Sequence, residues 1–207
     1  RRRYCPGRGG PRRVHPSRPH AALLSVHVRQ RYEVIESQRI ENVTVTVITT
    51  ATIPVTTATI PDWFDMELTD AQTGEIFTMN DYAGKVVLVE TMAIWCPNCV
   101  VQGNEVRNLH KVLGNPDDLI SVSLDVDFNE DEASLKEYAL GYGFDWHFAV
   151  APLEVARALG NLYSAQYLNP PLSPMLIIDR EGNVHQLEYG LKKAEALRKI
   201  VEPYLEK

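Results

Sequence analysis

Cysteine is scarce in this chain, with three in 207 residues. Two stand at positions 96 and 99, and Cys5 is isolated far upstream. A structural zinc site takes four ligands, usually as two such pairs, and no second pair exists. A disulfide closing so short a loop adds little stability. The pair therefore reads as reactive chemistry rather than as a staple. Long apolar runs are also missing. None approaches the roughly 18–20 residues of a membrane helix. Acid is absent from residues 1–31, which hold nine of the 21 basic side chains, all arginine. The remainder keeps 12 basic against 27 acidic side chains, a net charge of −15. So acidic a body argues against nucleic acid as the main partner. The first residue is Arg rather than Met, which leaves room for a preceding signal or membrane anchor.

What is present suits a globular protein. The apolar share is 44%, and the length allows one ordinary domain plus a tail. Residues 1–32 are rich in Arg, Pro, Gly and His without periodicity, and are expected to form a disordered leader. Residues 33–60 hold the alternating Val43-Thr44-Val45-Thr46-Val47, a possible stray strand, and then a Thr-rich linker. The folded domain is expected over residues 61–207.

The chain is organised around Val86-Val87-Leu88-Val89, an apolar and β-branched run of the kind a strand covered on both faces requires. It leads through Glu90 to Trp95-Cys96-Pro97-Asn98-Cys99. Beyond Cys99 the period changes. Val100, Val101, Val106, Leu109, Val112 and Leu113 fit one face of a helix that Gly114-Asn115-Pro116 should stop. Two cysteines thus fall at a strand-to-helix junction, where unpaired N–H groups and the helix dipole stabilise a thiolate. Two intervening residues allow one turn to bring both sulfurs into disulfide range.

Further strands are expected at 119–125, 146–150, 175–178 and 184–189, with helices at 131–140, 153–159 and 191–205. Phe64 to Leu68 and Glu75 to Thr78 should form a hairpin around Gly74. Strands alternating with helices, then a hairpin and a closing helix, make an α/β three-layer sandwich.

The ordered pieces resemble the thioredoxin superfamily, most closely its TlpA/ResA-like thiol-disulfide oxidoreductase branch with its redoxin domain. They are Ile60-Pro61-Asp62-Trp63-Phe64, Asp81-Tyr82-Ala83-Gly84-Lys85-Val86-Val87-Leu88-Val89, Trp95-Cys96-Pro97-Asn98-Cys99, Tyr142-Gly143-Phe144-Asp145-Trp146 and Ser173-Pro174-Met175-Leu176-Ile177-Ile178-Asp179. Together they span about residues 60–207. The resemblance implies a thioredoxin-like α/β/α sandwich with an N-terminal β-hairpin and an inserted helix and strand. It implies a protein-disulfide oxidoreductase that uses no cofactor or metal beyond its own Cys96–Cys99 dithiol. Its partners would be protein thiols and disulfides and an upstream electron donor. The setting would be extracytoplasmic, in the cell envelope, with cytochrome c maturation as one context; a monomer is expected.

The same resemblance assigns roles. Cys96 would be the exposed nucleophile and Cys99 the resolving thiol. Glu90, six residues before Cys96, would be a buried acid that relays the resolving proton through water. Trp95 would offer a contact surface beside the sulfurs, and Pro97 would pre-set helical φ. Pro174 would be a cis-proline, turning Ser173 outward to pair with a substrate strand. Two places depart from the family pattern: Asn104 stands where a kinking proline is common, and Gln102 where the branch often has Glu.

Other chemistries fit less well. Asp125 to Asp131 lacks the Gly and Glu of a calcium loop and reads as a strand end entering an acid-capped helix. Val89 and Ala93 stand where a peroxiredoxin needs Pro and Thr. A copper-handling protein of the Sco type needs one more residue between its cysteines, leaving His147 and His185 as weak candidates. Oxidative folding, or a non-enzymatic interaction module, would use the same scaffold.

Overall fold

The computed structural model describes residues 60–206. The leader and most of the linker expected at 1–60 lie outside the described residues. Among the described residues, seven strands form two sheets. β1 (Leu68–Thr69) and β2 (Ile76–Phe77) make a small antiparallel hairpin. β3 (Val86–Met92), β4 (Leu119–Asp125), β5 (His147–Val150), β6 (Met175–Ile178) and β7 (Val184–Gln186) make the main sheet, in the order β5-β4-β3-β6-β7. β3 runs parallel to β4, and β4 to β5, while β6 and β7 are antiparallel additions. The described residues also hold four α-helices: α1 (Pro97–Leu113), α2 (Glu132–Tyr142), α3 (Leu153–Leu162) and α4 (Ala194–Leu205).

Every residue of β3 is buried, because the sheet is covered on both faces. Strand periodicity divides them. Val86, Leu88 and Met92 pack with Leu109 of α1, Leu135 of α2 and Leu197 of α4. Val87 and Val89 pack with Trp63, Phe77 and the α3 residues Val155 and Leu159. The result is a three-layer α/β/α sandwich carrying the N-terminal hairpin and an inserted α3.

α1 departs from its expected face. Gln102 and Gly103 are buried with Val106 and Leu109, whereas Val101 and Val112 are exposed. Gln102 can turn inward because its amide finds backbone partners, as described below. Gly103 lies where a Cβ would come within 2.7 Å of the Phe144 ring, so only the bare backbone lets helix and ring meet. Gly114, at φ 75°, ends α1 where the Gly-Asn-Pro sequence said it should.

Other boundaries also moved. Phe64 lies in a 3-10 turn at Asp62–Asp65 rather than in the hairpin. α4 begins at Ala194, and the expected Leu191 is exposed ahead of it. Pro203 sits inside α4 without ending it.

Candidate active site

Cys96 is the N-cap of α1, Pro97 occupies the first helical turn, and Cys99 lies one turn in. The two cysteines are joined as a disulfide with their Cα atoms 5.3 Å apart. The Cys99 N–H donates to Cys96 Sγ at 3.2 Å. The first amides of a helix lack intrahelical acceptors. Here one points at the sulfur, which favours a thiolate when the bond is reduced. Cys96 is 1% exposed and Cys99 4%. The expected exposure of Cys96 is therefore corrected: its side chain is buried although its neighbours Trp95 and Pro97 are exposed. Cys99 Sγ lies 3.7 Å from the Pro170 carbonyl, which can accept from its thiol form. Asn98 Nδ2 donates to the Pro171 carbonyl at 2.8 Å, bracing the helix start against the proline loop.

That loop corrects a second expectation. No peptide bond among the described residues is cis, so Pro174 is trans. Ser173 takes left-handed backbone angles, φ 47° and ψ 57°, and this turn directs the chain into β6. Pro174 still adjoins the sheet beside the site, its carbonyl accepting from Thr91 N at 3.2 Å. Ser173 is buried, and its hydroxyl has no hydrogen-bond partner among the described residues.

Glu90 lies on the same face of β3 as Leu88 and Met92, toward α1, and is 6% exposed. Its partner on β4 is Ser123, whose Oγ donates to Glu90 Oε1 at 2.6 Å. Trp146 Nε1 in turn donates to Ser123 Oγ at 2.9 Å. Burial raises the Glu90 carboxyl to about 7, against the opposing pull of the Ser123 hydrogen bond and the Lys192 charge. Lys192, ahead of α4, is itself buried, and burial lowers its ammonium below the usual lysine value.

Two carboxylates after β4 hold the chain just ahead of Cys96. Glu130 Oε2 accepts from Ile94 N at 2.8 Å, and Asp127 Oδ2 accepts from Trp95 Nε1 at 2.7 Å. Trp95 is 57% exposed. The Asn129 backbone and the Trp95 indole hold the Asp127 carboxyl below its usual range. Asp125, fully buried behind them, is pushed up to about 8 by burial and by Glu130. Asp131 caps α2 through Ser134 N at 2.8 Å, as the acid-capped reading expects. His147 pairs with Asp70 and Tyr82, and His185 with Asp179. The described residues contain no group of three or more His, Cys, Asp or Glu arranged to hold a metal.

Ser123 and Lys192 were not singled out in the sequence; Trp146 stood there only within a family-like segment, and Gln102 only as a departure from the family pattern. One signal was available. Ser121, Ser123 and Asp125 alternate with Val122 and Leu124, marking a polar stripe on one buried face of β4.

A Redoxin family model matches residues 45–202. The chain belongs to the Redoxin family. As such it is an enzyme of the thiol-disulfide oxidoreductase class. No curated protein matches it. Among solved structures, it is similar to a thioredoxin-family thiol:disulfide interchange protein from Chlorobium tepidum TLS, with 20% identity and a TM-score of 0.55, covering 68% of this chain and 92% of that one. It is similar to MTB DsbF at 17% identity and a TM-score of 0.56, covering 70% and 99%. A secreted Mycobacterium tuberculosis disulfide oxidoreductase, described as homologous to E. coli DsbE, matches at 14% identity and a TM-score of 0.51, covering 68% and 96%. At these identities the structural matches establish the thioredoxin-like fold. The Redoxin member keeps its cysteine pair at the start of α1, with a buried acid on the strand leading to it.

Proposed function

We propose that this chain reduces disulfides of extracytoplasmic proteins through the Cys96–Cys99 dithiol. The observation that carries the reading is the junction itself: Cys96 Sγ accepts the Cys99 amide at the start of α1, in disulfide contact with Cys99. In the reduced protein the Cys96 thiolate attacks a substrate disulfide. One substrate sulfur leaves and takes up a proton, and the other remains bonded to Cys96. Cys99 then gives its proton to Glu90, by way of water, and its sulfur attacks Cys96 Sγ. The Cys96–Cys99 bond forms and the second substrate sulfur departs as a thiolate, which is protonated by solvent. Two electrons have passed from the dithiol to the substrate, and a thiol donor must return them. Ser173, Pro174, Trp95 and Pro97 would contact the substrate chain.

The direction rests on charge. Pro97-Asn98 brings no cation to the Cys96 sulfur, and the buried Glu90 disfavours a second negative charge nearby. Both keep the thiol pKa values up and the couple reducing. The secreted mycobacterial neighbour supports a location outside the cytoplasm; a place in the cell envelope, in cytochrome c maturation or a similar pathway, is part of the same proposal. Equilibration in glutathione buffers tests the direction. A potential near the roughly −270 mV of thioredoxin is expected; one above about −180 mV, the level of protein disulfide isomerase, overturns the reductant reading in favour of oxidative folding or isomerisation.

A further inference from the structure

Lys192 is a buried cation whose ammonium hydrogen-bonds only to carbonyls among the described residues. It is 8% exposed, and Nζ donates to the carbonyls of Gly190 at 2.7 Å and Ser173 at 3.3 Å. Lysine rarely goes this deep without compensation. Its backbone is held by Gln102. Lys192 N donates to Gln102 Oε1 at 2.8 Å, and Gln102 Nε2 donates to the Lys192 carbonyl at 3.1 Å. Gln102 lies on α1, three residues beyond Cys99, and is itself buried. The helix that carries the cysteines therefore fixes where Lys192 stands.

The ammonium is delivered to one place. Ser173 precedes Pro174, whose carbonyl accepts from Thr91 N, and Met175 is the cross-strand partner of Glu90. Lys192 thus sits at the end of the β3–β6 ladder, where its charge and that of Glu90 act on each other. The other titratable groups acting on the pair are Tyr138 of α2, which faces Glu90, and Glu188, which faces Lys192. Tyr138 is neutral across the working range, because burial raises its phenol further above neutrality.

We propose that Lys192 is a positioning residue of the dithiol reaction: placed by Gln102, its ammonium favours the carboxylate form of Glu90, the form that takes the Cys99 proton. This rests on the reading of Glu90 as the proton acceptor. In that step the Cys99 S–H bond breaks and an O–H bond forms on Glu90. The Cys96–Cys99 bond forms as the bond from Cys96 to the substrate sulfur breaks. Lys192 neither gains nor loses a bond; it sets the pH at which the acceptor is ready. Its bond to the Ser173 carbonyl also holds the backbone next to Pro174.

The test is single-turnover reduction of a disulfide-linked fluorescent peptide by the reduced full chain, from pH 5.5 to 9. The wild-type rate should rise through the titration of Glu90. Lys192→Met should move that rise to higher pH; a displacement of one pKa unit lowers the rate at pH 7 about fivefold and leaves a near-wild-type rate by pH 9. Lys192→Arg should restore the profile. Gln102→Ala should shift it in the same direction, and Lys192→Gln serves if the Met variant does not fold. A Lys192→Met profile that matches wild type, or falls equally at every pH, overturns the proposal and leaves the dithiol reading intact. A wild type that fails to reduce the peptide removes both.

Discussion

Ser123 Oγ and Glu90 Oε1 lie 2.6 Å apart across the parallel β3–β4 pair, hydroxyl donating to carboxyl. The hydrogen bond favours the carboxylate, but burial outweighs it and raises the group to about 7. The folded protein therefore holds this proton to a higher pH than the unfolded chain does. Its stabilising share is complete below about pH 4.5 and gone above about pH 7. Glu90→Gln keeps the acceptor for Ser123 and removes the charge. Its stability gain over wild type should grow from near zero at pH 4.5 to about 3 kcal/mol at pH 8. Urea unfolding at the two pH values checks this, and an equal gap at both would refute it.

The cysteines should separate cleanly. Cys96→Ala should reduce insulin no faster than the buffer does. Cys99→Ala should accumulate a mixed disulfide, visible as added mass on a non-reducing gel. A Cys96→Ala variant as active as wild type contradicts the assignment.

Gly103→Ala should destabilise the fold by about 1–3 kcal/mol, the usual range for overpacking a core. The added Cβ would meet the Phe144 ring at 2.7 Å. Phe144 stacks on Phe148 and packs against Trp146, so it has little room to yield. An unchanged melting temperature would show that the ring does move.

Asp127→Ala should leave stability within about 0.5 kcal/mol, as for most surface changes. It frees the Trp95 indole, which Asp127 now accepts at 2.7 Å. Acrylamide should then quench Trp95 fluorescence more strongly, and KM for protein substrates should rise while kcat holds. If quenching is unchanged, the hydrogen bond does not anchor the ring.

The elements that were legible in the sequence share one property: the information is local. An unbroken apolar run makes β3, and Cys96 and Pro97 start α1 where Gly114 later ends it. Glu90 stood out as the one charge in that run, and it is buried as expected. The partners of Glu90 were not legible, because register brings in Ser123 from 33 residues away. Gln102 meets Lys192 across 90 residues, so nothing nearby marks either as a buried polar group with its needs met. For the same reason the face of α1 was assigned to valines that the fold leaves outside. The cis bond at Pro174 was expected from motif alone, and the left-handed turn at Ser173 gives the chain another way into β6.

The oxidised sulfurs lie almost entirely beneath the surface. Thiol exchange requires in-line access to a sulfur atom. A small free thiol cannot use the binding energy of a large interface to lift the cover, whereas a macromolecular donor can. Burial therefore acts as insulation. It favours electron entry from partners shaped to open the site, and slows without preventing exchange with the low-molecular-weight thiols around it.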